Sequence, residues 1–528
     1  MKKWSKILSI VLLLSICASG CKGETTPTAN PAASGSAPGT SAATVSTENG
    51  EEKVIKTSIY WDYWVLDPAL FAHKQPNAIV TGIYEGLVAY NEKMELIPLL
   101  AEKWEVENDG LKYVFHLRKG VQFQKGYGEM KASDVVFTFQ RMKEIGDEST
   151  AGTMMGVDNF EVTTVDDYTV AFTFQKMDPA FLTHLALWCG FIVSEAAVTD
   201  LGEDFERNPV GTGPYEFVNA IWQESTEMAK FADYWGEKPQ IDRVICYYIT
   251  DSDTMYNAFD SGELNMINSE SEIKNVEYGE KGGVNMIQGM SNQIIGFGLS
   301  TTRGPLSDIR VRQAIFHAID IDDFIDNFLN GQQSKTGCMI PESCAYALLD
   351  CFHPEYDLEK AKQLLAEAGY ADGFELELGT YNDDRADAAV IIQNYLSKVN
   401  INVKVTPLEM AAFGERAEAG EFDIWYCGWS ASVLPDDFLV RGFKSDGIFN
   451  YSQFQDTKYD QLITDAVNET EEGKRAELYG EAQRYLCDQY VYYPMYTLTK
   501  TIITTPDIGG NPFTTLRYPF NFQNMTMQ

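Results

Sequence analysis

The second half of the chain alternates helical and extended patterns, and this alternation restricts the available folds more than any other feature. Helical periodicity covers residues 308–320, 357–368, 386–399 and 474–487, and extended patterns cover residues 401–405 and 422–429. Asp308 and Asp357 precede two of the helices, where a carboxylate can accept hydrogen bonds from backbone N–H groups. This order of elements predicts an α/β lobe built on a mixed sheet.

The first half of the folded body contains mainly strand patterns. Strands are predicted for residues 53–64, 112–118, 168–174 and 241–249, and helices for residues 77–87 and 133–145. Pro68 ends the first strand region because proline lacks the N–H group that continues a sheet. The chain has 528 residues, which is too long for a single core. We therefore expect about two to four domains.

The charge of the chain excludes several classes of partner. Asp and Glu number 77 against 41 Lys and Arg, which gives a formal net charge of −36. Such an acidic chain is repelled by DNA, RNA and anionic lipid headgroups. Hydrophobic residues make up 45% and charged residues 22% of the chain, as in an ordinary globular protein. We expect no nucleic-acid partner.

Residues 1–20 have the layout of a secretory signal. Lysines within the first six residues precede an apolar run at residues 7–16, which is too short to span a bilayer as a helix. Small residues at 18–20 stand directly before Cys21. This junction resembles the lipobox of bacterial lipoproteins, whose first position is usually Leu and is Ala18 here. We expect cleavage before Cys21 and lipidation at that residue, with an ordinary secretory signal cut elsewhere as the alternative.

The next segment, residues 21–53, cannot form a core. It is built largely from Thr, Ala, Pro, Ser and Gly, and Val45 is the only aliphatic residue beyond Ala between residues 25 and 50. Such a composition predicts a flexible linker. A lipid anchor, a linker and a large acidic body together predict display on the outer face of a cell membrane, extracellular or periplasmic. Contact with the membrane would then be through the lipid alone.

Cysteines offer one candidate metal site. Seven follow Cys21, and an odd number cannot all pair internally. Cys338, Cys344, Cys351 and His353 lie close together in the sequence, but their C-x5-C-x6-C-x-H spacing fits no common zinc pattern. A local disulfide and plain thiols are the alternatives. We expect no metal and no cofactor.

Known enzyme motifs are absent from the sequence. The five His form no H-E-x-x-H, and neither G-x-S-x-G nor a Walker A sequence occurs. Asp436 and Asp437 resemble a glycosidase carboxylate pair, but among 77 acidic residues such pairs are expected by chance. We expect no catalytic residue and no enzymatic activity. A secreted hydrolase is the alternative from another functional class.

Short motifs in a fixed order give the chain a family resemblance. They are LDP at residues 66–68, YEGLV at 84–88, IPLLAEKWEVENDGLKYVFHLRKGVQF at 97–123, ASDVVFTFQRM at 132–142, NPVGTGPYEF at 208–217, DYWGEKPQID at 233–242, SGEL at 261–264, DIRVRQAIFHAID at 308–320, AKQLLAEAGY at 361–370 and GEFDIWYCGW at 420–429. Each motif alone is weak, but their shared order is specific. The chain resembles the solute-binding proteins of ABC importers, specifically the dipeptide- and oligopeptide-binding family, solute-binding protein family 5.

The resemblance implies a two-lobed, periplasmic-binding-protein-like (type II) α/β fold with an extra middle domain and a hinged cleft between the lobes. The first lobe (domain I) would comprise residues 54–84, 174–288 and 499–528. The middle domain (domain II) would comprise residues 85–173, and the second lobe (domain III) residues 289–498. Ligands favour clefts between domains, and closure of the lobes can exclude water around them.

The resemblance also implies which residues line the cleft. In peptide-binding relatives the loop after LDP contributes, and here that loop contains Phe71, His73 and Lys74. The segment after Gly-Trp contributes as well, and the relatives carry in it an Asp that pairs with the α-amino group of the peptide. Ser432 occupies that position here. Asp436 would then have to supply the carboxylate, because a hydroxyl cannot replace a charged partner for an ammonium group.

Three aromatic residues of the same region are further candidates for ligand contact. Trp425, Tyr426 and Trp429 would suit stacking against sugars as well as peptide side chains. Trp425 and Trp429 share one face of a predicted strand, so the alternative is that both are lobe core.

The function implied by the resemblance is that of a lipid-anchored, monomeric solute receptor that delivers its ligand to an ABC permease in the membrane. Oligopeptides are the leading ligand class, and oligosaccharides or another small solute are the alternative. ATP would be hydrolysed by separate subunits. A sensor or adhesin that kept the fold without transport is a further alternative.

Overall fold

The computed structural model describes residues 52–59, 65–70, 78–91, 95–269, 271–352, 354–381, 383–430, 433–513 and 521–528. The residues predicted for lipidation and ligand binding that lie outside these ranges are Cys21, Phe71, His73, Lys74 and Ser432, and His353 of the cysteine cluster also lies outside them. Within the described ranges, no helix has both the length and the apolar character that are needed to cross a membrane.

The strands within these ranges are β1 (Val54–Ile59), β2 (Val88–Tyr90), β3 (Leu96–Pro98), β4 (Ala101–Glu107), β5 (Lys112–Leu117), β6 (Phe160–Asp166), β7 (Thr169–Phe174), β8 (Tyr215–Ile221), β9 (Ser225–Lys230), β10 (Arg243–Tyr248), β11 (Met266–Ser269), β12 (Asn285–Leu299), β13 (Ser334–Lys335), β14 (Phe374–Tyr381), β15 (Ile401–Leu408), β16 (Ile424–Ser430), β17 (Tyr492–Thr504), β18 (Ile508–Gly510) and β19 (Met525–Met527).

The α-helices of the same residues are α1 (Ala78–Ile83), α2 (Ala132–Ile145), α3 (Thr150–Met155), α4 (Phe181–Leu185), α5 (Glu195–Leu201), α6 (Ser252–Asp260), α7 (Glu272–Lys281), α8 (Ile309–Ala318), α9 (Ile321–Asp323), α10 (Leu358–Glu367), α11 (Asp383–Ser397), α12 (Met410–Glu418), α13 (Asp436–Phe443), α14 (Thr457–Asn468) and α15 (Glu472–Asp488).

One large mixed sheet runs through the molecule. Its described strands follow the order β15-β14-β16-β12-β17-β11-β1-β10-β9-β8, and β13 pairs with β17. Strand β14 is parallel to β15 and β16, and β1 is parallel to β10 and β11. The long strands β12 and β17 are antiparallel to each other and belong to both halves of the sheet. Their pairing is irregular between Met290 and Ile294, where the chain passes from one half to the other.

Among the described residues, the two largest of three hydrophobic cores lie on either side of this crossing. The first joins buried residues between Ile55 and Met266 with a few from the C-terminal part of the chain, such as Ile502 and Met525. The second joins buried residues between Ile294 and Tyr496. We call the two parts the first lobe and the second lobe.

A smaller antiparallel sheet, β4-β5-β7-β6, packs within the first-lobe core. Its inner face is aromatic, and the rings of Phe160 and Phe172 lie 5.5 Å apart in an edge-to-face arrangement. Phe139 of α2 contacts Phe172 at 5.2 Å, so the helix covers this face of the sheet. Edge-to-face packing of this kind fills a core with few voids.

Three of the sequence motifs meet at one buried carboxylate. Glu85 accepts hydrogen bonds from the hydroxyls of Thr212 at 2.9 Å and Tyr234 at 2.8 Å, and from the indole N–H of Trp235 at 2.9 Å. Burial raises the pKa of Glu85 to about 7, although these hydrogen bonds favour its ionised form. The hydrogen bonds to Glu85 therefore connect three motifs, YEGLV, NPVGTGPYEF and DYWGEKPQID. This connection is structural and involves no shared ligand.

Two further motifs are joined by an ion pair. Arg141 of α2 donates to both carboxylate oxygens of Asp67, whose side chain is 1% exposed. A bidentate arrangement fixes the direction of both side chains. Gly211 is needed for close packing nearby, because a Cβ atom there would lie 2.1 Å from the carbonyl oxygen of Ile83.

Candidate functional site

The parallel strands of both lobes end at the crossing of β12 and β17. In the second lobe, Ser430 at the end of β16 pairs with Gln293 of β12. In the first lobe, Ser269 at the end of β11 pairs with Thr501 of β17. The C-terminal ends of strands β16 and β11 therefore approach the irregular residues 291–293 of β12 from opposite sides. Ligands of open α/β sheets bind outside the carboxyl ends of the strands, which makes this cleft the candidate site.

Arg385 lies beside the carboxyl ends of β14 and β16. Its guanidinium carbon is 6.0 Å from the ring centroid of Tyr381 and 5.9 Å from that of Tyr426. A Cβ atom at Gly428 would come within 2.8 Å of Arg385 Nη2 and 2.9 Å of Gln293 Nε2, so glycine gives the guanidinium access to the strand end. Because an arginine side chain stays protonated in proteins, the site contains a permanent positive charge.

The predicted aromatic candidates are packed in the second lobe. Trp425, Tyr426 and Trp429 are 1%, 0% and 9% exposed. The Trp425 ring stacks on Tyr492 at 5.4 Å, and its Nε1 donates to the hydroxyl of Ser452 at 3.0 Å. Trp429 is surrounded by the rings of Phe438, Phe443, Phe449 and Tyr451. This packing accounts for all three side chains as core, and their contact with a ligand stays a prediction.

Asp436 begins α13 and is part of a compact side-chain cluster. It accepts a short hydrogen bond from the hydroxyl of Tyr479 on α15. The Tyr479 ring stacks on Tyr346 at 5.2 Å, and the guanidinium carbon of Arg475 lies 5.7 Å from the Tyr479 ring. We call these four residues the Asp436 cluster. Burial and the charge of Asp436 raise the pKa of Tyr479, so its hydroxyl remains a donor and one oxygen of Asp436 is engaged.

Val433 and Arg475 bring the second lobe into contact with the first. The Val433 side chain is 5% exposed and packs into the first-lobe core. Nη1 of Arg475 donates to the carbonyl oxygen of Pro179, which precedes α4, at 3.3 Å. The predicted ligand-binding segment around Asp436 therefore stands at the boundary between the lobes.

The cysteine cluster forms no metal site among the residues that the structure describes. No group of three or more His, Cys, Asp or Glu side chains is arranged there to hold an ion, and His353 lies outside the described ranges. Cys338, Cys344 and Cys351 form no disulfide with one another. Cys351 instead approaches Cys487 on α15, with 3.8 Å between the two Sγ atoms.

Arg385 and Arg475 were not predicted as site residues from the sequence. The alternating letters FELEL at residues 374–378 could have indicated strand β14, and its carboxyl end would then have pointed to Arg385. For Arg475 no local signal exists, because its partner Pro179 is 296 residues away in the chain.

Comparison with known proteins agrees with this geometry. Residues 95–451 match the model of the bacterial extracellular solute-binding proteins, family 5 Middle. The chain is 31% identical over 439 residues to the dipeptide-binding protein of Escherichia coli (strain K12), covering 77% of this chain and 82% of the relative. It is 28% identical over 449 residues to heme-binding protein A of Haemophilus influenzae, covering 79% and 82%.

A solved structure shows the same fold. It is that of the ABC transporter-associated periplasmic binding protein DppA from Helicobacter pylori in complex with the peptide STSA, with a TM-score of 0.71 and 29% identity. The alignment covers 90% of this chain and 98% of that one. The two-lobed α/β fold expected from the sequence motifs is confirmed by this structure, and the expectation of a binding protein and not an enzyme is confirmed by the match to solute-binding proteins. The chain belongs to the bacterial extracellular solute-binding proteins of family 5.

Proposed function

We propose that this protein is a lipid-anchored receptor that binds oligopeptides between its lobes on the outer face of the membrane and delivers them to an ABC permease. The observation that carries the proposal is the meeting of strand ends from both lobes at the β12–β17 crossing. Three domains would form the receptor: residues 54–84 with 174–288 and 499–528, residues 85–173, and residues 289–498.

Charge favours a peptide as the ligand. Arg385 supplies a positive charge beside the strand ends, and Asp436 supplies a carboxylate at the lobe boundary. A free peptide carries a carboxylate and an ammonium group, so it matches both charges, whereas a neutral oligosaccharide matches neither. The relatives named for dipeptides and the complex with the peptide STSA support the same ligand class.

Heme is the second candidate, because one relative is named a heme-binding protein. Heme carries carboxylates and no ammonium group, so it would use Arg385 and gain nothing from Asp436. Loss of the Asp436 charge should therefore lower the affinity for a peptide but leave the affinity for heme unchanged.

Binding of defined ligands tests the proposal. We expect titration calorimetry on the purified protein to detect binding of short free peptides, and bound peptide to raise the melting temperature by mass action. The peptide should be recovered unchanged. If heme or an oligosaccharide binds while peptides of two to five residues do not, the peptide assignment is wrong.

Asp436→Asn tests the predicted ammonium contact. Asn keeps an oxygen that can accept from Tyr479, so the variant removes charge with little change in shape. We expect affinity for free peptides to fall about tenfold, as for the loss of a charge-assisted hydrogen bond. N-acetylated peptides should bind parent and variant equally well. An unchanged affinity for free peptides would show that Asp436 is a structural residue of its cluster.

A further inference from the structure

Two cysteines from distant parts of the sequence meet in the second lobe. Cys351 lies in the loop between β13 and α10, and Cys487 lies in the last turn of α15. Their Sγ atoms are 3.8 Å apart, although 136 residues separate them in the chain. A modest rotation of the side chains would bring the two sulfur atoms into bonding range.

The two thiols differ in exposure and in charge environment. Cys351 is half-buried, whereas Cys487 is 8% exposed. The contact with Cys487, a backbone hydrogen bond from Met339 and the charge of Arg484 lower the pKa of Cys351. The contact with Cys351 and burial raise the pKa of Cys487. A half-buried thiol with a lowered pKa in contact with a second, shielded thiol is the arrangement that favours thiol–disulfide exchange.

We propose that Cys351 and Cys487 form a reversible disulfide by exchange with a small-molecule disulfide. The Cys351 thiolate attacks one sulfur of that oxidant, forms a mixed disulfide and releases one equivalent of its thiol. Cys487 then attacks the Cys351 sulfur and passes its proton to the second departing thiolate. The protein loses two hydrogen atoms as the two cysteines are oxidised, and the oxidant is reduced to two thiols. The predicted location outside the membrane is a compartment in which disulfides persist.

The bond would fasten a loop that supports the lobe boundary. Within this loop the N–H of Ala345 donates to the carbonyl oxygen of Val433 at 2.7 Å. The N–H of Leu348 donates to Gln483 Oε1 at 3.1 Å, and Gln483 Nε2 donates to the carbonyl oxygen of Tyr346 at 2.8 Å. Loop and helix α15 thus hold the Asp436 cluster together by hydrogen bonds and ring stacking, without a covalent bond. A covalent bond between them would stabilise this arrangement, whatever the ligand is.

Cys338 is the competing partner for Cys351. The carbonyl oxygen of Gly337 accepts the N–H of Cys351 at 3.0 Å, which brings the neighbouring Cys338 close. Cys338 is completely buried, and burial raises its pKa to about 11, whereas the sulfur recorded in contact with Cys351 Sγ is that of Cys487, at 3.8 Å. The geometry therefore points to Cys487 as the partner.

Peptide mapping distinguishes the pairings. Trypsin cleaves after Lys335 and Lys360 and after Arg484 and Lys500, so Cys351 and Cys487 fall on separate peptides. The full-length protein is equilibrated with glutathione disulfide, alkylated and digested without reductant. We expect residues 336–360 linked to residues 485–500, with two hydrogen atoms lost and the link cleaved by dithiothreitol. The melting temperature of the oxidised protein should rise by about 2 °C or more.

Matched variants complete the test. Cys351→Ser should abolish the linked peptides and the rise in melting temperature, whereas Cys338→Ser should retain both. A residue 336–360 peptide that loses two hydrogen atoms without any link to residues 485–500 would place the bond among Cys338, Cys344 and Cys351 and overturn the proposal. Alkylation of both Cys351 and Cys487 after full equilibration with glutathione disulfide would also overturn the proposal. Because the readout is covalent, its failure leaves the proposed ligand-binding function untouched.

Discussion

At the scale of single residues, Arg385 gives the most specific prediction about the ligand. Its guanidinium lies against Tyr381 and Tyr426 beside the cleft ends of two strands. Arg385→Gln removes the charge but keeps a polar side chain. If the carboxylate of the ligand faces this charge, peptide affinity should fall at least about tenfold in titration calorimetry. C-terminally amidated peptides should bind the variant and the parent with equal affinity.

The control for this variant is Lys362→Gln on the exposed face of α10. Lys362 pairs with Glu359 at 3.0 Å on the surface, so its loss changes the net charge by the same amount. We expect no change in affinity. An equal loss for free and amidated peptides in Arg385→Gln would mean that Arg385 only packs against the tyrosines.

Glu85 predicts a pH dependence of stability. Its pKa is raised by burial from 4.5 to about 7, so in this pH range the folded state holds a proton that the unfolded chain has released. The free energy of unfolding should therefore fall as pH rises through this window, by at most about 1.4 kcal/mol per pH unit from this group. Glu85→Gln stays neutral and should lose this contribution.

Urea unfolding of parent and Glu85→Gln from pH 4.5 to pH 7 measures the difference. The advantage of the parent over the variant should decrease steadily across the window. Gln can still accept from Thr212 and Trp235 through its oxygen, while its amide donates to the Tyr234 hydroxyl, so the variant should fold. If the free energies of unfolding of parent and variant change with pH in parallel, Glu85 is ionised at both ends of the pH range.

At the scale of elements, helix α15 connects the lobes through Arg475. Its Nη1 contact with the Pro179 carbonyl is a hydrogen bond across the boundary. Arg475→Gln should weaken this contact, increase the radius of gyration of the ligand-free protein in small-angle scattering and lower ligand affinity several-fold. The reason is that an open state becomes more populated and binding must then drive closure.

The neighbouring Lys474 provides the control for Arg475. It pairs with Glu469 in the same lobe at 2.5 Å, so Lys474→Gln removes a charge from α15 without touching the first lobe. We expect the radius of gyration and affinity to remain at the values of the parent. If both variants behave alike, the contact with Pro179 does not change the populations of the open and closed states.

Elements with strong local signals could be predicted from the sequence. Helices α8 and α10 begin where Asp308 and Asp357 were expected to cap them, and both side chains accept backbone N–H groups. The irregular pairing between β12 and β17 has no such signal, since it depends on strands that are distant in the sequence. Trp425 shows the same limit, because only tertiary packing against Tyr492 distinguishes core from cleft wall.

At the scale of the whole molecule, the family could be predicted from the order of motifs, but most ligand contacts could not. The motifs that carry the resemblance are largely structural, as the hydrogen bonds around Glu85 show. Conserving the fold in this way leaves the cleft residues free to differ between relatives, and names as different as dipeptide-binding and heme-binding occur among them.

The proposed lipid anchor is also a prediction about the whole molecule. We expect Cys21→Ser to abolish lipidation, because the hydroxyl cannot replace the thiol that receives the acyl chains. The variant should then be released into the medium or remain as uncut precursor, as detected by fractionation and mass spectrometry. A variant that is processed and retained at the membrane like the parent would contradict the prediction.

The position of β17 has a consequence for how the protein matures. This strand lies at residues 492–504, yet it pairs with β12 along almost its whole length and with β11 as well. Neither half of the large sheet is complete until this late segment is available. Long-range pairing of this kind slows folding. A polypeptide whose main sheet stays incomplete until β17 is available suits the proposed export as an extended chain, with assembly of the sheet after passage through the membrane.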